Sequence, residues 1–496
     1  MQSTQLDLVD LLPRAWSGES PLANLATHTT TPVESGRLLR HVEGLDKRLH
    51  KRFVDAFDVD GQLSRQAVSF QGNKTRAAYR WYKYKEAFSA GLVERIIRRE
   101  KLASGTVLDP FAGMGTTLFA ASSMGLDAHG IEVLPVGQEL INSRLQIEAN
   151  FHTGLDERLT KWSHGQHWEH FPADHPLPEL RITKDAYSPG TVEAVSKFLT
   201  ALEYEAPELR PVLRLALLCV LESISYTRKD GQYLRWDYRS GRRQGRKRFD
   251  KGRITTFAAA ISSKIAEIVG DLRTGGEPLF VPSASRRGAV QLFAGSSLKV
   301  LPVLPPSSYS AVITSPPYCN RYDYTRTYAL ELAMLGVGED ALRCLRQEML
   351  TCTVENREKD LLELNPGWQL ALDTVRQEEL LQAILCYLES ERKASQLNNT
   401  GIPRMVRGYF DEMACVIQEL SRVLKPSAVV YMVNDNVRYA GASVSVDLIL
   451  SSIAESLGFR VERISLLPNG KGNSSQQMGK HGRSVLRKCI YTWRKA

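Results

Sequence analysis

The stretch from Gly105 to Val133, GTVLDPFAGMGTTLFAASSMGLDAHGIEV, constrains this chain more than any other. A short apolar run ends in Asp109, two glycines follow in a turn, an apolar helical pattern comes next, and a second strand-like run closes on Glu132. This succession reads as the opening βαβ unit of an α/β fold: a doubly wound, Rossmann-like, mostly parallel sheet with helices on both sides. Glycines after a strand can make a tight turn and nothing more. Here the turn is flanked by Asp109 at the end of its strand and by Glu132 roughly twenty residues on, a spacing at which an acid can accept hydrogen bonds from ribose hydroxyls. The loop lacks the Gly-Lys-Ser/Thr ending of a phosphate loop and departs from G-x-G-x-x-G, having Thr116, Thr117 and Leu118 after Gly115. A nucleoside cofactor without pyrophosphate fits it better than a dinucleotide.

At 496 residues the chain is too long for one ordinary core. The reading divides it into a polar N-terminal helical segment, 1–60; a first core part carrying the glycine loop, 61–150; an insertion, 151–284; a second core part, 285–335; a charged helical insertion, 336–404; and a third core part, 405–496. No run approaches the roughly 18 apolar residues that span a bilayer. The polar, acidic start lacks the layout of a secretory signal, so a cytoplasmic protein without a membrane partner is expected. Seven cysteines without a C-x-x-C pair argue against a disulfide framework and a cysteine zinc site.

A second loop sits at the end of another short strand, in AVITSPPYC. Pro316 and Pro317 remove two amide donors and stiffen the backbone, so the loop offers acceptors, which suits a substrate that donates hydrogen bonds, as an exocyclic amine does. Ser315 Oγ and the Pro316 carbonyl would take the two amine hydrogens, and Tyr318 would stack on a flat ring. The competing reading is a proline-terminated strand with Tyr318 packed locally.

DPFAGMGTT followed by TSPPY resembles the amino-methyltransferases that use S-adenosylmethionine to methylate exocyclic nitrogens of DNA bases. The form beginning with Ser resembles the enzymes acting on cytosine N4. The resemblance implies that Asp109, Phe111, Gly113, Gly115 and Thr116 line the cofactor, that Glu132 holds its ribose, and that Ser315, Pro316, Pro317 and Tyr318 are the catalytic residues holding a flipped base. YKYKEAFSAGLV resembles the segment that contacts the methionine part of the cofactor, which would involve Phe88 and Ser89. Ser296 stands where relatives carry an acid near the adenine. The resemblance further suggests host modification in restriction-modification or phage defence, with any nuclease a separate chain. N6-adenine or RNA methylation, and a non-catalytic nucleic-acid-binding protein of this fold, are the alternatives. Cys319 is displaced by one residue from the position a Pro-Cys nucleophile would need, which argues against covalent catalysis.

The net charge of +9 is concentrated between Ser225 and Arg253, where Arg and Lys alternate with Tyr226, Tyr233, Trp236, Tyr238 and Phe249. Such a run suits contact with double-stranded DNA, with Arg242, Arg243, Arg246, Lys247 and Arg248 as phosphate contacts and the rings available to bases. His164, His167, His170 and His175 are close in sequence, but no metal is assigned to them because no cysteine or carboxylate pattern supports one. A surface loop is expected there.

Overall fold

A computed structural model describes residues 32–61, 63–150, 154–230, 233–245, 247–274, 287–467 and 486–496. Residues 1–31 of the N-terminal segment and Arg246 of the basic run lie outside the described residues.

Eight strands form the central sheet: β1 (Phe57–Val59), β2 (Thr106–Asp109), β3 (Asp127–Glu132), β4 (Val290–Ala294), β5 (Tyr309–Thr314), β6 (Leu424–Asp435), β7 (Phe459–Leu466) and β8 (Lys488–Lys495). Their spatial order is β1-β7-β8-β6-β5-β2-β3-β4. Every neighbouring pair is parallel except the two made by β8, which runs antiparallel between β6 and β7. From β2 the chain winds outward through β3 to β4, then returns to the other side of β2 as β5 and winds away through β6. The order therefore reverses between β2 and β5, the point where open α/β sheets bind ligands beyond the carboxyl ends of their strands.

The central strands are apolar on both faces because both faces are covered. Their period of two divides them between two cores: Val107, Ala311, Ile313, Val429 and Tyr431 enter one, and Leu108, Val312, Val430 and Met432 the other. On the first side pack the helices Ala90–Arg99, Thr116–Ser123 and Pro135–Asn150, joined by Pro189–Glu203, Arg210–Ile224 and Phe257–Thr274 from the segment 151–284. On the second pack Pro32–Arg52, Glu379–Lys393, Ile402–Val423 and Val446–Ser456. Both segments read as insertions thus contribute helical layers to the cores.

Three features differ from the sequence expectation. The turn expected after the helix ending at Val423 is a bulge within β6: two steps along β5, Tyr309 to Ala311, match Leu424 to Val429 on β6, with Ser427 at φ +62°. The strand β7 has no clear strand pattern in sequence because Arg460, Glu462 and Arg463 interrupt its apolar positions; Glu462 pairs with Arg494 of β8 at 2.7 Å. The histidine-rich stretch is not a plain surface loop but the end of a helix, Leu155–His164, and a 3-10 turn, His167–His170, pinned by buried Trp162 and Trp168. Among the described residues no group of three potential metal ligands gathers, and no helix is long and apolar enough to cross a membrane.

Candidate active site

The glycine loop begins where β2 ends. Asp109 is buried, and its Oδ1 accepts from the Phe111 amide at 3.0 Å and from Thr314 Oγ1 at 2.6 Å, so one carboxylate fixes the loop and ties the end of β2 to the end of β5. Thr117 Oγ1, in the first turn of the helix Thr116–Ser123, donates to the Ile313 carbonyl at 3.0 Å and ties that helix to β5. Burial outweighs these bonds and raises Asp109 to about 6.

Gly113 has φ +57°, and a Cβ there would stand 3.3 Å from the Tyr84 ring. Gly115, at φ +80°, caps the helix Thr116–Ser123, and a Cβ would meet Ile141 and Phe119 at 2.9 Å. The first glycine opens the backbone toward the cleft; the second lets the turn pack on its own helix. Glu132 Oε2 accepts from the Gly113 amide at 2.6 Å and Oε1 from the Leu134 amide at 2.7 Å. Burial again dominates and raises Glu132 to about 7. Gly137 permits this closeness, since its Cβ would fall 2.5 Å from the Gly113 carbonyl. Nothing in the local sequence pattern singled Gly137 out.

The proline loop leaves β5 beside this turn. Ser315 Oγ donates to the Val433 carbonyl of β6 at 3.1 Å and lies 3.3 Å from the Tyr318 hydroxyl, which leaves its lone pairs for an incoming donor. Pro316 is buried, and Pro317 reaches the cleft. Tyr318 carries the Lys488 ammonium 5.4 Å from its ring centroid, and Lys488 lies 3.4 Å from Asp435, its partner across the β6–β8 ladder. Neither Lys488 nor Asp435 was legible as a neighbour of this loop, because β8 comes from the far end of the chain. Cys319 is buried with its thiol pushed well up.

One open cleft of about 790 Å³, including solvent at its mouth, joins the two loops. Phe88, Asp109, Phe111, Gly113, Thr116, Glu132, Ser296, Ser315 and Pro317 all line it. Ser89, Gly115, Pro316 and Tyr318 do not. Ser89 instead caps the helix Ala90–Arg99, accepting from the Leu92 amide at 3.2 Å and donating to the Ala67 carbonyl at 2.9 Å. Thr116 Oγ1 is buried without a hydrogen-bond partner. The cleft wall carries the carboxylates of Glu86, Asp109 and Glu132 and no Lys, Arg or His, so its electrostatics favour a cationic ligand.

Residues 47–142, which hold the glycine loop and Glu132, match the family model described as DNA methylase. Over 479 residues the chain is 52% identical to the Type II methyltransferase M.AvaI of Nostoc sp., covering 96% of this chain and 98% of that protein, and it matches the protein of the same name from Anabaena variabilis equally. The chain belongs to the Type II methyltransferase family. A second member, M.BsoBI of Geobacillus stearothermophilus, is 38% identical over 474 residues, 90% of this chain and 91% of that protein.

In this Type II methyltransferase the basic run forms a hairpin, Thr227–Asp230 with Tyr233–Trp236, followed by a loop. Its rings are largely occupied by the chain's own cations. Arg242 stacks on Trp236 at 3.6 Å and donates to the Lys184 carbonyl, Arg248 stacks on Tyr238 at 3.7 Å, and Arg235 on Phe249 at 4.1 Å. Arg243, Lys247 and Arg248 are exposed. Lys229 is buried: it pairs with Glu331 and donates to the Tyr82 hydroxyl at 2.9 Å, with side-chain exposures of 3% for Lys229 and 1% for Glu331. The ion pair fastens the hairpin to the helix Ala329–Met334, and the bond to Tyr82 fastens it to the segment that leads into the cleft wall at Tyr84. Sequence reading placed Lys229 in a basic surface run, and only the fold shows it as a core residue.

Proposed function

We propose that this Type II methyltransferase transfers a methyl group from S-adenosylmethionine to the exocyclic N4 amine of cytosine in double-stranded DNA, as the modifying member of a restriction-modification or defence system whose nuclease is a separate chain. The observation that carries the reading is Ser315, a neutral acceptor at the carboxyl end of β5, opening on the same cleft as Gly113 and Glu132.

The cleft fits the cofactor. It is acidic and lacks bases, matching a ligand with a net positive charge, and the unpartnered Thr116 hydroxyl offers a polar contact. Bound there, S-adenosylmethionine supplies an electrophilic methyl group on a sulfonium. Glu132 keeps lone pairs on both oxygens for the ribose hydroxyls after accepting from Gly113 and Leu134. Asp109, Phe111, Gly113 and Gly115 shape the loop around the cofactor, with Phe88 and Ser296 at the sides, while Ser89 and Gly115 act by holding the backbone that does so.

The target amine is a weak nucleophile because its lone pair is delocalised into the ring. Ser315 Oγ, its own proton directed to Val433, accepts one amine hydrogen and the Pro316 carbonyl the other, which favours a tetrahedral nitrogen and frees the lone pair. Pro317 fixes the loop, and Tyr318 contributes its ring to a base drawn out of the stack. The segments 61–150, 285–335 and 405–496 form the catalytic core, 151–284 carries the DNA contacts through Arg243, Lys247 and Arg248, and the helices Pro32–Arg52 of 1–60 and Glu379–Lys393 of 336–404 pack on the opposite face of the sheet.

The test is incubation of the purified protein with labelled S-adenosylmethionine and a mixture of unmethylated duplex DNA and RNA, then nucleoside mass spectrometry of each polymer. N4-methylcytosine is expected. N6-methyladenine would keep the chemistry and overturn the base, and labelled RNA with unlabelled DNA would overturn the polymer.

A further inference from the structure

The cleft wall contains one carboxylate to which the proposed methyl transfer gives no task. Glu86 is half-buried and lines the cleft with Tyr84 and Tyr324. Unlike Asp109 and Glu132, it receives no backbone amide; the Tyr328 hydroxyl donates to its Oε2. Tyr84 stacks on Tyr328 at 5.0 Å and 12°, and Tyr322 meets Tyr324 edge-on at 4.8 Å and 70°. Burial pushes the Tyr322 hydroxyl well up, and the negative charge of Glu86 pushes it further. Among the described residues no Lys, Arg or His lies within ion-pair distance of Glu86; its chain neighbour Lys85 feels its charge but donates to the Lys229 carbonyl.

A carboxylate drawn partly out of water and set among phenol rings costs free energy unless something compensates it. The phenols supply hydrogen bonds but no charge. A carboxylate set among aromatic rings is the chemistry that recognises an alkylammonium: the oxygen accepts its N–H donors, and the aromatic quadrupoles attract its charge. A sulfonium carries charge but no donor, so it would leave the carboxylate's lone pairs unused.

Resting on the cofactor assignment above, we infer that Glu86, with Tyr84 and Tyr324, forms the site that binds the α-ammonium of S-adenosylmethionine. Glu86 is then a positioning residue: it anchors the amino-acid tail so that the methyl group points toward Ser315.

Calorimetric titration of the full chain with three probes tests this. S-adenosylmethionine carries both the ammonium and the sulfonium, S-adenosylhomocysteine keeps the ammonium without the sulfonium charge, and 5′-methylthioadenosine lacks the amino-acid tail. Glu86→Gln is expected to weaken the first two by a similar factor of about 10 to 100 while leaving the third unchanged, as loss of a charge-assisted hydrogen bond would. Unchanged 5′-methylthioadenosine binding also reports an intact cleft. The inference is overturned if only S-adenosylmethionine weakens, because Glu86 then reads the sulfonium. Equal weakening of all three overturns it in favour of a structural role, and no weakening overturns it outright. Failure of the unsubstituted protein to bind any of the probes would instead remove the cofactor assignment itself.

Discussion

The backbone amide of Gly113 donates to Glu132 Oε2 at 2.6 Å and that of Ala112 to the Ile131 carbonyl at 2.9 Å, and the two bonds close the glycine loop against the end of the next strand. Glu132→Gln puts an amide where two backbone N–H groups need acceptors, and only one side-chain oxygen remains to serve them. Leaving one buried donor unsatisfied costs about 1–3 kcal/mol. Both urea stability and S-adenosylmethionine affinity should fall, and unchanged affinity in a folded variant would sever Glu132 from the cofactor.

With Glu132 holding the ribose as proposed, its raised position, about 7, makes cofactor binding depend on pH. Below pH 7 the carboxyl is protonated and a poorer acceptor for ribose hydroxyls; above it the carboxylate is formed. Affinity should therefore climb as pH rises from 6 to 8 and then level. The linked stability runs the other way: a folded-state value above the ordinary 4.5 means that the contribution of this group is full below pH 4.5 and is lost as pH rises through 7. Calorimetry across this range with Glu132→Gln as the control checks the first trend, which should vanish in the variant.

In the mechanism proposed above, Ser315→Ala removes the acceptor of one amine hydrogen and leaves the cofactor wall otherwise intact. Single-turnover methylation should slow by about 10²-fold or more, while cofactor dissociation constants stay within about twofold. Equal losses in both would mean that Ser315 serves binding rather than chemistry.

Lys229 and Glu331 are both almost fully buried, so removing one charge strands the other. Lys229→Met should destabilise the protein by about 3–5 kcal/mol, and adding Glu331→Leu should recover much of that loss. Urea unfolding of the two variants decides it; an undisturbed midpoint in the single variant would place Lys229 in solvent.

Arg243 and Lys247 are exposed, whereas Arg242 is stacked on Trp236 and bonded to the Lys184 carbonyl. Substituting Arg243 or Lys247 by Ala should lower the slope of log affinity against log salt by about 0.9 for each phosphate that is no longer neutralised. Arg242→Ala should act chiefly on stability. A slope unaltered by the first two changes would move the DNA surface elsewhere.

Local patterns carried much of this protein. The strand ending in Asp109, the glycines at positive φ, Glu132 closing β3 and Ser315 closing β5 are all short-range features, because turns, glycine backbone and two-residue periodicity are decided by a few neighbouring residues. From them the doubly wound sheet and the meeting of the two loops at its switch point follow.

What the tertiary structure alone decided is which distant side chains share one environment. Periodicity states that a face is buried, but not what buries it. The Glu86 carboxylate meets Tyr328 across 242 positions, and Lys229 meets Glu331 across 102. Lys488 reaches Tyr318 only because β8 inserts antiparallel between β6 and β7. A charge read as solvated in sequence becomes a core residue when non-local pairing brings its counter-charge alongside, because the free energy of a buried ion depends on partners that its own segment does not contain.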